Sequence, residues 1–356
     1  MEFLELIVKE VVPETKEAKS YVLESSDGEP IRYEAGQFLT LIIEFNGHDV
    51  RRSYSMGSTP GIDERLFITV KRKENGEISR HILEHWVPGT RVKAVPPSGR
   101  FTITTDPLHQ RHIFFLTAGS GIVPVFSLIK SVLASEPRTH ITMLYQNHDE
   151  TTIIYHRELQ LLEERYPEQF TRIDLLSHPL LHELPSRRLN NGLLEQLVGY
   201  HEPGAFQQQR NKPPTLFYTC GPPAFMRMAQ FTLRLMGYEE EQIIKEHFTI
   251  PVLPPPALII DPQPRKVLLR FNKKEYEYEV VYPTSILQAA LDLHIELPYS
   301  CKAGRCATCT AKCLSGDVKM TNNEVLTEKD MERGLVLTCV GYAASDVRLE
   351  FGDPDM

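Results

Sequence analysis

Four of the six cysteines in this 356-residue chain have the spacing of a metal centre. Cys301, Cys306 and Cys309 fall within nine residues, and Cys339 follows thirty positions after the third of them. This is the C-x4-C-x2-C…C spacing that holds a plant-type [2Fe–2S] cluster through four thiolates. Three ligands fit in one tight loop only if its backbone curls around the metal, and Gly304 leaves room for that. The spacing therefore predicts an iron–sulfur site with these four cysteines as ligands.

Two other uses of the cysteines agree less well with the sequence. Structural zinc sites usually take their ligands as two C-x2-4-C pairs, whereas Cys339 has no Cys or His partner close to it in sequence. Disulfides belong to oxidising compartments, and nothing in the chain indicates export. Cys313 does not fit the ligand spacing and is predicted to be a small, buried, apolar side chain.

Composition and charge indicate an ordinary soluble globular protein of two or three domains. Charged residues make up 24% of the chain and hydrophobic residues 41%, and a formal net charge of −8 argues against a nucleic-acid partner. The N-terminus lacks the basic and apolar regions of a signal peptide. Residues 113–129 are apolar, but Gly119, Gly121 and Pro124 interrupt them, which favours a strand, a turn and a helix over membrane insertion. Thiols in a metal pattern fit a reducing cytoplasm.

The sequence predicts three folded units, the first of which is an antiparallel β-barrel over residues 1–105. Glycines and prolines separate six short candidate strands at a spacing typical of a small closed barrel. One short helix is expected at Ser79–Glu84. The candidate strands are Glu2–Val11, Ala18–Glu24, Gln37–Phe45, Val50–Ser55, Arg65–Val70 and Thr90–Val95.

The sequence pattern changes over residues 106–248, where apolar strands alternate with amphipathic helices. Such alternation predicts an α/β domain, a parallel sheet with helices on both faces. The predicted strands are His112–Leu116, Ile141–Tyr145, Phe170–Leu176, Thr215–Thr219 and Ile243–His247. The predicted helices are Val123–Leu133, His156–Glu164, Leu189–Val198 and Pro223–Met236.

A proline-rich stretch over residues 249–264 predicts a stiff linker. Residues 265–356 form the third predicted unit. A hairpin of Lys266–Phe271 and Glu275–Val281 opens it, and a helix at Ser285–Leu293 leads into the cysteine loop.

Two short motifs in the barrel have the chemistry of a flavin nucleotide site. In Arg52-Ser53-Tyr54-Ser55, the forked guanidinium suits a phosphate, the Tyr ring suits an isoalloxazine, and the last Ser is a small donor. Alternation along a strand places residues 52 and 54 on one face. Gly76-Glu77-Ile78-Ser79 enters the short helix, whose free N–H groups bind phosphate. An ordinary loop with Ser79 as the N-cap explains the same residues.

Two further motifs fall between a strand and a helix of the second unit. Thr117-Ala118-Gly119-Ser120-Gly121-Ile122-Val123-Pro124 lets the backbone approach a pyrophosphate at a helix N-terminus, although Pro124 replaces the last Gly of G-x-G-x-x-G. Tyr218-Thr219-Cys220-Gly221-Pro222-Pro223 lies at the carboxyl end of the sheet, where open α/β folds bind ligands. The Cys220 thiol suits a contact with a nicotinamide ring, and it suits a buried position in a tight turn equally well.

The four motifs in this order resemble the ferredoxin–NADP reductase superfamily, and the third unit resembles plant-type ferredoxins. Essentially the whole chain resembles the reductase components of multicomponent oxygenases, those of the phenylacetyl-CoA epoxidase type included. The resemblance implies a β-grasp fold for the third unit and an NAD(P)H-dependent oxidoreductase with FAD and a [2Fe–2S] cluster. It also implies that a hydride from NAD(P)H reaches flavin N5 and that electrons then pass singly through the cluster to a partner, an oxygenase or another acceptor protein.

The resemblance also implies roles for the motif residues. Those expected to bind FAD are Arg52, Ser53, Tyr54, Ser55, Val70, Gly76, Ile78 and Ser79. Those expected to bind NAD(P)H are Thr117, Gly119, Ser120, Gly121, Pro124, Ser177, Cys220, Gly221 and Pro222. Cys220 is expected beside the nicotinamide C4 and Ser55 near flavin N5, while Glu246 and Phe248 match an E-x-F segment near the flavin. Cys220, Ser55 and Glu246 are therefore the predicted catalytic residues.

The sequence does not decide between NADPH and NADH, and it does not identify the electron acceptor. NADPH-using relatives often carry Ser-Arg after the third strand of this unit, whereas Ser177 is followed here by His178. Arg187 and Arg188 either supply the charge or are simply solvated, so NADPH and NADH are both compatible, and FMN is an alternative to FAD. The alternatives in function are a general NAD(P)H–ferredoxin or flavodoxin reductase and a non-enzymatic redox-sensing module, which the intact motifs argue against.

Overall fold

The computed structural model describes residues 3–74, 76–181, 183, 185–202, 214–248, 260–304, 306–323 and 325–351. The chain forms two compact units. The larger lies within residues 4–97 and 101–249, and the smaller within residues 250–356 together with residues 1–3 and 98–100. The predicted boundaries at residues 105, 248 and 264 stay predictions, and residues 249–259 of the predicted linker lie outside the described part of the chain.

The first half of the larger unit is the β-barrel that the strand spacing predicted. Its elements are β1 Leu4–Thr15, β2 Ala18–Ser25, β3 Phe38–Phe45, β4 His48–Ser55, β5 Leu66–Lys71, α1 Glu77–His85 and β6 Arg91–Ser98. The strands follow the order β4-β3-β6-β1-β2-β5, and a bridge between Met56 and Ile68 joins the two ends of that order. Alternate residues point inward, and Leu6, Tyr21 and Leu41 are fully buried there.

All seven barrel elements differ in extent from the prediction by at least one residue, and β6 continues to Ser98 rather than ending at Val95. β1 continues to Thr15 rather than ending at Val11, because it stays paired with β2 through two register shifts. α1 begins at Glu77, two residues before the predicted start, because the extended Gly76 is its N-cap. Ser79 therefore lies inside the first turn, and the alternative that made it the N-cap is wrong.

The second half of the larger unit is the predicted parallel sheet with helices on both faces. Its elements are β7 His112–Ala118, α2 Ile122–Ser135, β8 His140–Asn147, α3 His156–Arg165, β9 Phe170–Leu176, α4 Asn191–His201, β10 Thr215–Cys220, α5 Pro223–Leu235 and β11 Ile243–Glu246. The strands are parallel in the order β11-β10-β7-β8-β9. Neighbouring residues of β7 pack on opposite faces, Phe115 in the core under α2 and Phe114 in the core under α4 and α5.

The apolar stretch at residues 113–129 is a strand, a turn and the start of a helix, as predicted. Across the described ranges, no helix is both long enough and apolar enough to span a membrane.

The smaller unit is a mixed five-stranded sheet with a helix packed on it, as expected for a β-grasp fold. Its elements are β12 Arg265–Phe271, β13 Lys274–Val280, α6 Ile286–Asp292, β14 Thr310–Ser315, β15 Val318–Met320, α7 Glu328–Glu332, β16 Leu335–Leu337, β17 Gly341–Ala343 and β18 Val347–Glu350. The main sheet has the order β13-β12-β18-β14-β16, with β12 parallel to β18. The predicted hairpin turns at Asn272 and Lys273, whose φ angles are 51° and 62°. Leu287 of α6 shares one core with Cys309 and Cys339.

Candidate functional site

Two of the predicted motifs meet where the strand order of the parallel sheet reverses. The chain builds β8 and β9 on one side of β7 and then places β10 on the other, so the carboxyl ends of β7 and β10 are neighbours. The Thr117 hydroxyl donates to the Cys220 carbonyl at 3.1 Å. A Cβ added to Gly121 would lie 2.1 Å from the same carbonyl oxygen. Only glycine fits at this position, and the turn therefore rests directly on the strand that carries Cys220.

The turn at residues 119–121 has a conformation that leaves backbone N–H groups available to a ligand. Gly119 has a φ of +55°, in the left-handed region, and its carbonyl accepts a hydrogen bond from the Tyr145 hydroxyl at 3.1 Å. α2 begins at Ile122, so its free N–H groups follow the turn at the point where a pyrophosphate binds. Pro124 lies in the first turn of α2, where its missing N–H removes no hydrogen bond. The structure brings together at this edge Thr117, Gly119, Ser120, Gly121 and Pro124.

Cys220 ends β10 at this edge and is fully buried. Burial raises the pKa of its thiol well above the usual value, and the Glu246 carboxylate raises it further, so the thiol is protonated at neutral pH. Glu246 is the residue paired with Cys220 in the β10–β11 ladder, and Phe248, just after β11, is exposed. Gly221 and Pro222 continue into α5, with Pro222 as the N-cap. A neutral, polarisable thiol here is suited to packing against a ring rather than to nucleophilic attack.

The first flavin motif lies on β4, which pairs with β3. Tyr54 packs against the barrel core, and burial raises the pKa of its hydroxyl, although the Arg52 guanidinium opposes this effect. Arg52 is exposed and Ser55 is buried. The Ser53 hydroxyl lies 3.0 Å from the Thr40 hydroxyl. A cation, an aromatic ring and a buried hydroxyl thus follow one another along one strand, as a flavin phosphate and ring require.

The second flavin motif forms the N-terminus of α1. The Ser79 hydroxyl accepts a hydrogen bond from the Lys73 N–H and donates to the Gly76 carbonyl, each at 3.1 Å. A Cβ at Gly76 would lie 2.7 Å from Ser79 Oγ, so Ser79 shapes the loop and glycine is required beside it. The groups left free at this end are the backbone N–H groups of the first turn. The side chains of Ile78 and Val70 are buried in the barrel core.

Lys71 is a candidate site residue that the sequence did not single out. It ends β5, and its Nζ lies 3.6 Å from the position that a Cβ on Gly119 would take. The ammonium group of this barrel residue therefore lies beside the turn whose backbone groups are suited to a pyrophosphate. A lysine after an apolar strand is usually a solvated side chain, so the sequence alone held no signal for this contact.

A second group of polar side chains lies at the carboxyl ends of β8 and β9. The N–H of Ser177 donates to the Asn147 carbonyl at 3.1 Å. The rings of His148 and His178 have centroids 4.4 Å apart and Nδ1 atoms 3.1 Å apart. The side-chain amide of Asn147 is buried beside the Tyr145 hydroxyl, and neither its nitrogen nor its oxygen makes a hydrogen bond of normal geometry within the described residues. Ser177 was predicted here, whereas Asn147 and His148 were not.

The four predicted cluster ligands contact one another in the smaller unit. The Cys301 side chain is hydrogen-bonded to Cys306 and to Cys339. The Cys339 side chain is also hydrogen-bonded to Cys309. The bonds to Cys301 raise the pKa of Cys306 and of Cys339, whereas the bond from Cys339 lowers the pKa of Cys309. All six cysteines are free thiols. Two linked pairs of sulfurs form a donor set that fits two irons.

The loop backbone also fits a two-iron cluster. The N–H of Cys301 lies 3.4 Å from Cys306 Sγ, and the N–H of Ala303 lies 3.4 Å from Cys301 Sγ. Such bonds stabilise the thiolates that ligate iron. Gly304 has a φ of +74°, and a Cβ there would lie 2.6 Å from the Asn322 carbonyl oxygen.

Cys313 lies apart on β14, half-buried rather than buried as predicted, and its thiol donates to the Ser315 carbonyl at 3.4 Å.

Family models match all three parts of the chain. An oxidoreductase FAD-binding domain matches residues 4–103, an oxidoreductase NAD-binding domain residues 115–230, and a 2Fe-2S iron-sulfur cluster binding domain residues 269–344. Together with the geometry of the two units, these matches define the class of the protein, an oxidoreductase with FAD-binding, NAD-binding and [2Fe–2S]-binding domains.

Three similar proteins align with this chain over nearly its whole length. The chain is 32% identical over 359 residues to the ferredoxin reductase component of 3-ketosteroid-9-alpha-monooxygenase of Mycolicibacterium smegmatis, which covers 96% of this chain and 95% of that protein. It is 30% identical over 357 residues to one subunit of the 1,2-phenylacetyl-CoA epoxidase of Escherichia coli K12, with 98% of each covered. The solved structure of phthalate dioxygenase reductase has the same fold, with a TM-score of 0.59 and 22% identity over 98% of each chain.

The chain belongs to this family of modular ferredoxin reductases. The predicted fold class and the cofactor set of FAD, NAD(P)H and a [2Fe–2S] cluster are confirmed. The roles given to individual residues stay predictions.

Proposed function

We propose that this chain is the reductase component of a multicomponent oxygenase, which takes electrons from NADPH or NADH and delivers them to a partner oxygenase. The observation that carries the proposal is the contact of Gly121 with the Cys220 carbonyl, which joins a pyrophosphate turn to a buried thiol at one sheet edge. FAD accepts a hydride and releases its two electrons one at a time, and a [2Fe–2S] cluster carries single electrons.

The barrel residues hold the flavin in this proposal. The exposed Arg52 would bind the flavin phosphates, Tyr54 would flank the isoalloxazine ring, and the buried Ser55 would supply a hydroxyl close to its N5. The first-turn N–H groups of α1 bind the pyrophosphate, and Gly76 keeps that approach open because a side chain there would meet Ser79.

The parallel sheet positions the coenzyme. The turn at residues 119–121 and the start of α2 bind the NAD(P)H pyrophosphate, with Lys71 as an added cation. The Cys220 thiol, held neutral by burial, packs beside the nicotinamide ring without competing as a nucleophile. Glu246, the one carboxylate of the predicted set, is paired with Cys220 in the β10–β11 ladder and so lies at the same sheet edge.

The smaller unit holds the cluster through Cys301, Cys306, Cys309 and Cys339. A partner of the kind served by the named relatives is an oxygenase component, and both a monooxygenase of the ketosteroid type and an epoxidase of the phenylacetyl-CoA type are compatible. A cytoplasmic location is part of the proposal, because free thiols need a reducing compartment.

Anaerobic titration of the purified protein with NADPH and with NADH tests the proposal. We expect the flavin and cluster absorbance bands to bleach in turn. Wild-type protein whose flavin bleaches while its cluster stays oxidised would refute it. Reduction rates with candidate oxygenase components, a ferredoxin and a flavodoxin then separate an oxygenase reductase from a general ferredoxin or flavodoxin reductase.

A further inference from the structure

The loop that follows the first flavin motif, residues 57–63, is fastened to α2, the helix that begins at the pyrophosphate turn. We call this loop the junction loop. The Ser127 hydroxyl of α2 donates to the Ser58 carbonyl at 2.6 Å, and the Thr59 hydroxyl donates to the Ser127 carbonyl at 3.0 Å. All three of these side chains are buried. Because β4 ends at Ser55, only a short stretch of chain separates the flavin strand from its attachment to α2.

An ion pair joins α2 to the same loop. The Lys130 ammonium donates to the Asp63 carboxylate, and the same carboxylate oxygen accepts from the Thr59 N–H at 2.5 Å. The Lys130 side chain is only 8% exposed, and that of Asp63 is 26% exposed. The ammonium also lies 4.2 Å from the centre of the Phe126 ring and 5.4 Å from the centre of the Phe67 ring. One cation therefore contacts α2, β5 and the junction loop.

Stability alone does not account for a charged pair in this place. Removing an ammonium from water is costly, and burial lowers the pKa of Lys130 although the Asp63 carboxylate opposes the shift. Well-packed apolar side chains of similar volume often stabilise a buried position as well or better. An ion pair differs from them in direction, because its donor and acceptor satisfy each other only in a narrow range of geometries. The pair thus fixes where the junction loop lies on α2.

The same helix carries the coenzyme turn at its other end. α2 begins at Ile122, and Lys130 follows about 12 Å further along the helix axis, at a rise of about 1.5 Å per residue. Hydride transfer requires the reacting atoms to lie about 3–3.5 Å apart, and a misplacement of about 1 Å costs about a hundredfold in rate. A junction loop that shifted on α2 would change the distance between a flavin held by β4 and a nicotinamide positioned from the start of α2.

We propose that Lys130 and Asp63 are positioning residues for hydride transfer, which hold the flavin strand at the distance from α2 that the reacting atoms require. This inference rests on the proposed function, which places the coenzyme pyrophosphate at the start of α2. Both residues act through the backbone segments that they join, and neither is assigned a contact with the coenzyme or the flavin. Loss of the pair therefore slows the transfer step while the binding of each cofactor is kept.

Stopped-flow reduction of the full chain with FAD bound, by NADPH and by NADH, tests the pair. Lys130→Met keeps an apolar side chain of similar length and removes the charge. We expect its rate of flavin reduction at saturating coenzyme to fall about 10–100-fold. Calorimetric affinities for NADP⁺ and NAD⁺ should stay within about threefold of wild type, because the turn and the helix N-terminus that bind the pyrophosphate are unchanged. The FAD content of the purified variant should equal that of wild type.

Further variants separate positioning from stability. Asp63→Asn keeps an acceptor for the Thr59 N–H but loses the charge, and it should be slowed like Lys130→Met. Lys130→Arg keeps the charge and should stay within about threefold of the wild-type rate. Glu136→Gln is the matched control, because it breaks another buried ion pair, with Arg111, at the far end of α2. It should lower the midpoint of thermal unfolding and leave the rate of flavin reduction at pH 7 unchanged.

Wild-type rates in Lys130→Met and Asp63→Asn would overturn the inference, and Asp63→Asn alone decides if Lys130→Met does not fold. A coenzyme affinity that weakens as much as the rate falls would also overturn it, since the pair would then act in binding. Equal slowing in Glu136→Gln would do the same, because general loss of stability would explain every variant. Failure of the proposed function has a different signature, in which neither NADPH nor NADH reduces the flavin of the wild-type protein.

Discussion

The carbonyl oxygen of Cys220 lies 2.1 Å from the point where residue 121 would carry a Cβ. We expect Gly121→Ala to push α2 away from β10 and to lower the rate of NAD(P)H-dependent flavin reduction at least about tenfold, with a loss of stability of about 1–3 kcal/mol. Stopped-flow absorbance and thermal unfolding measure the two effects. Gly192→Ala is the control, because its nearest neighbour would be 3.7 Å away. An unchanged rate in Gly121→Ala would contradict the site.

The Tyr145 hydroxyl donates to the Gly119 carbonyl at 3.1 Å and thereby supports the pyrophosphate turn. Tyr145→Phe should raise the KM for NAD(P)H about fivefold and change kcat little, since one neutral hydrogen bond contributes about 1 kcal/mol. Steady-state kinetics with ferricyanide as acceptor measure both constants. Tyr278→Phe removes a similar bond, to the Ile286 carbonyl at 3.2 Å, in the smaller unit and should leave the KM unchanged. Equal KM values in the two variants would count against a role for Tyr145.

Loss of one cluster ligand should block electron transfer through the cluster and leave reduction of the flavin by the coenzyme intact. Cys309→Ser is expected to lower the bound iron and sulfide severely and to stop delivery of electrons to the partner protein, while ferricyanide reduction, which needs only flavin and coenzyme, continues. Iron analysis and paramagnetic resonance of the reduced protein show the loss. Cys313→Ser should retain the cluster, because Cys313 lies apart on β14 and contacts the Ser315 carbonyl. A full cluster in Cys309→Ser would refute the ligand assignment.

Glu136 makes the larger unit sensitive to acid. Burial favours its neutral form, but hydrogen bonds from Arg111, Thr139 and His109 outweigh burial and hold its pKa below the usual value of 4.5. A lowered folded pKa contributes stability that is present above 4.5 and is lost as the pH falls through the folded value. Glu136→Gln should therefore cost about 2–4 kcal/mol at pH 7 and progressively less below pH 4.5.

Fluorescence of Trp86, the only tryptophan, reports unfolding of the larger unit in urea for this comparison. Glu195→Gln, at an exposed position of α4, should match wild type at both pH values. A gap between Glu136→Gln and wild type that is constant with pH would show that the carboxylate charge is not what stabilises the unit.

Patterns that repeat over a few residues were enough to predict the elements of the larger unit and the first three of the smaller unit, whereas β14 to β18 and α7 were not predicted. β9 runs from Phe170 to Leu176 as predicted, because apolar residues mark both of its ends. The start of α1 was placed late because Gly76 caps through its backbone alone, without a side-chain hydrogen bond to mark it. The Cys301–Cys309 loop was predictable because three ligands of one site are neighbours in sequence.

The sequence by itself determined which chemistry this chain carries: four thiolates at ferredoxin spacing and glycine turns at strand ends, each of which acts through residues close together in the chain. Only the tertiary structure decided which of these groups meet. Cys220 meets Gly121, Lys71 reaches Gly119, and His148 lies against His178, because the strand order of the sheet and the closure of the barrel bring their ends together. Each of these residues has an ordinary local explanation on its own, and contacts between distant segments follow from packing rather than from spacing.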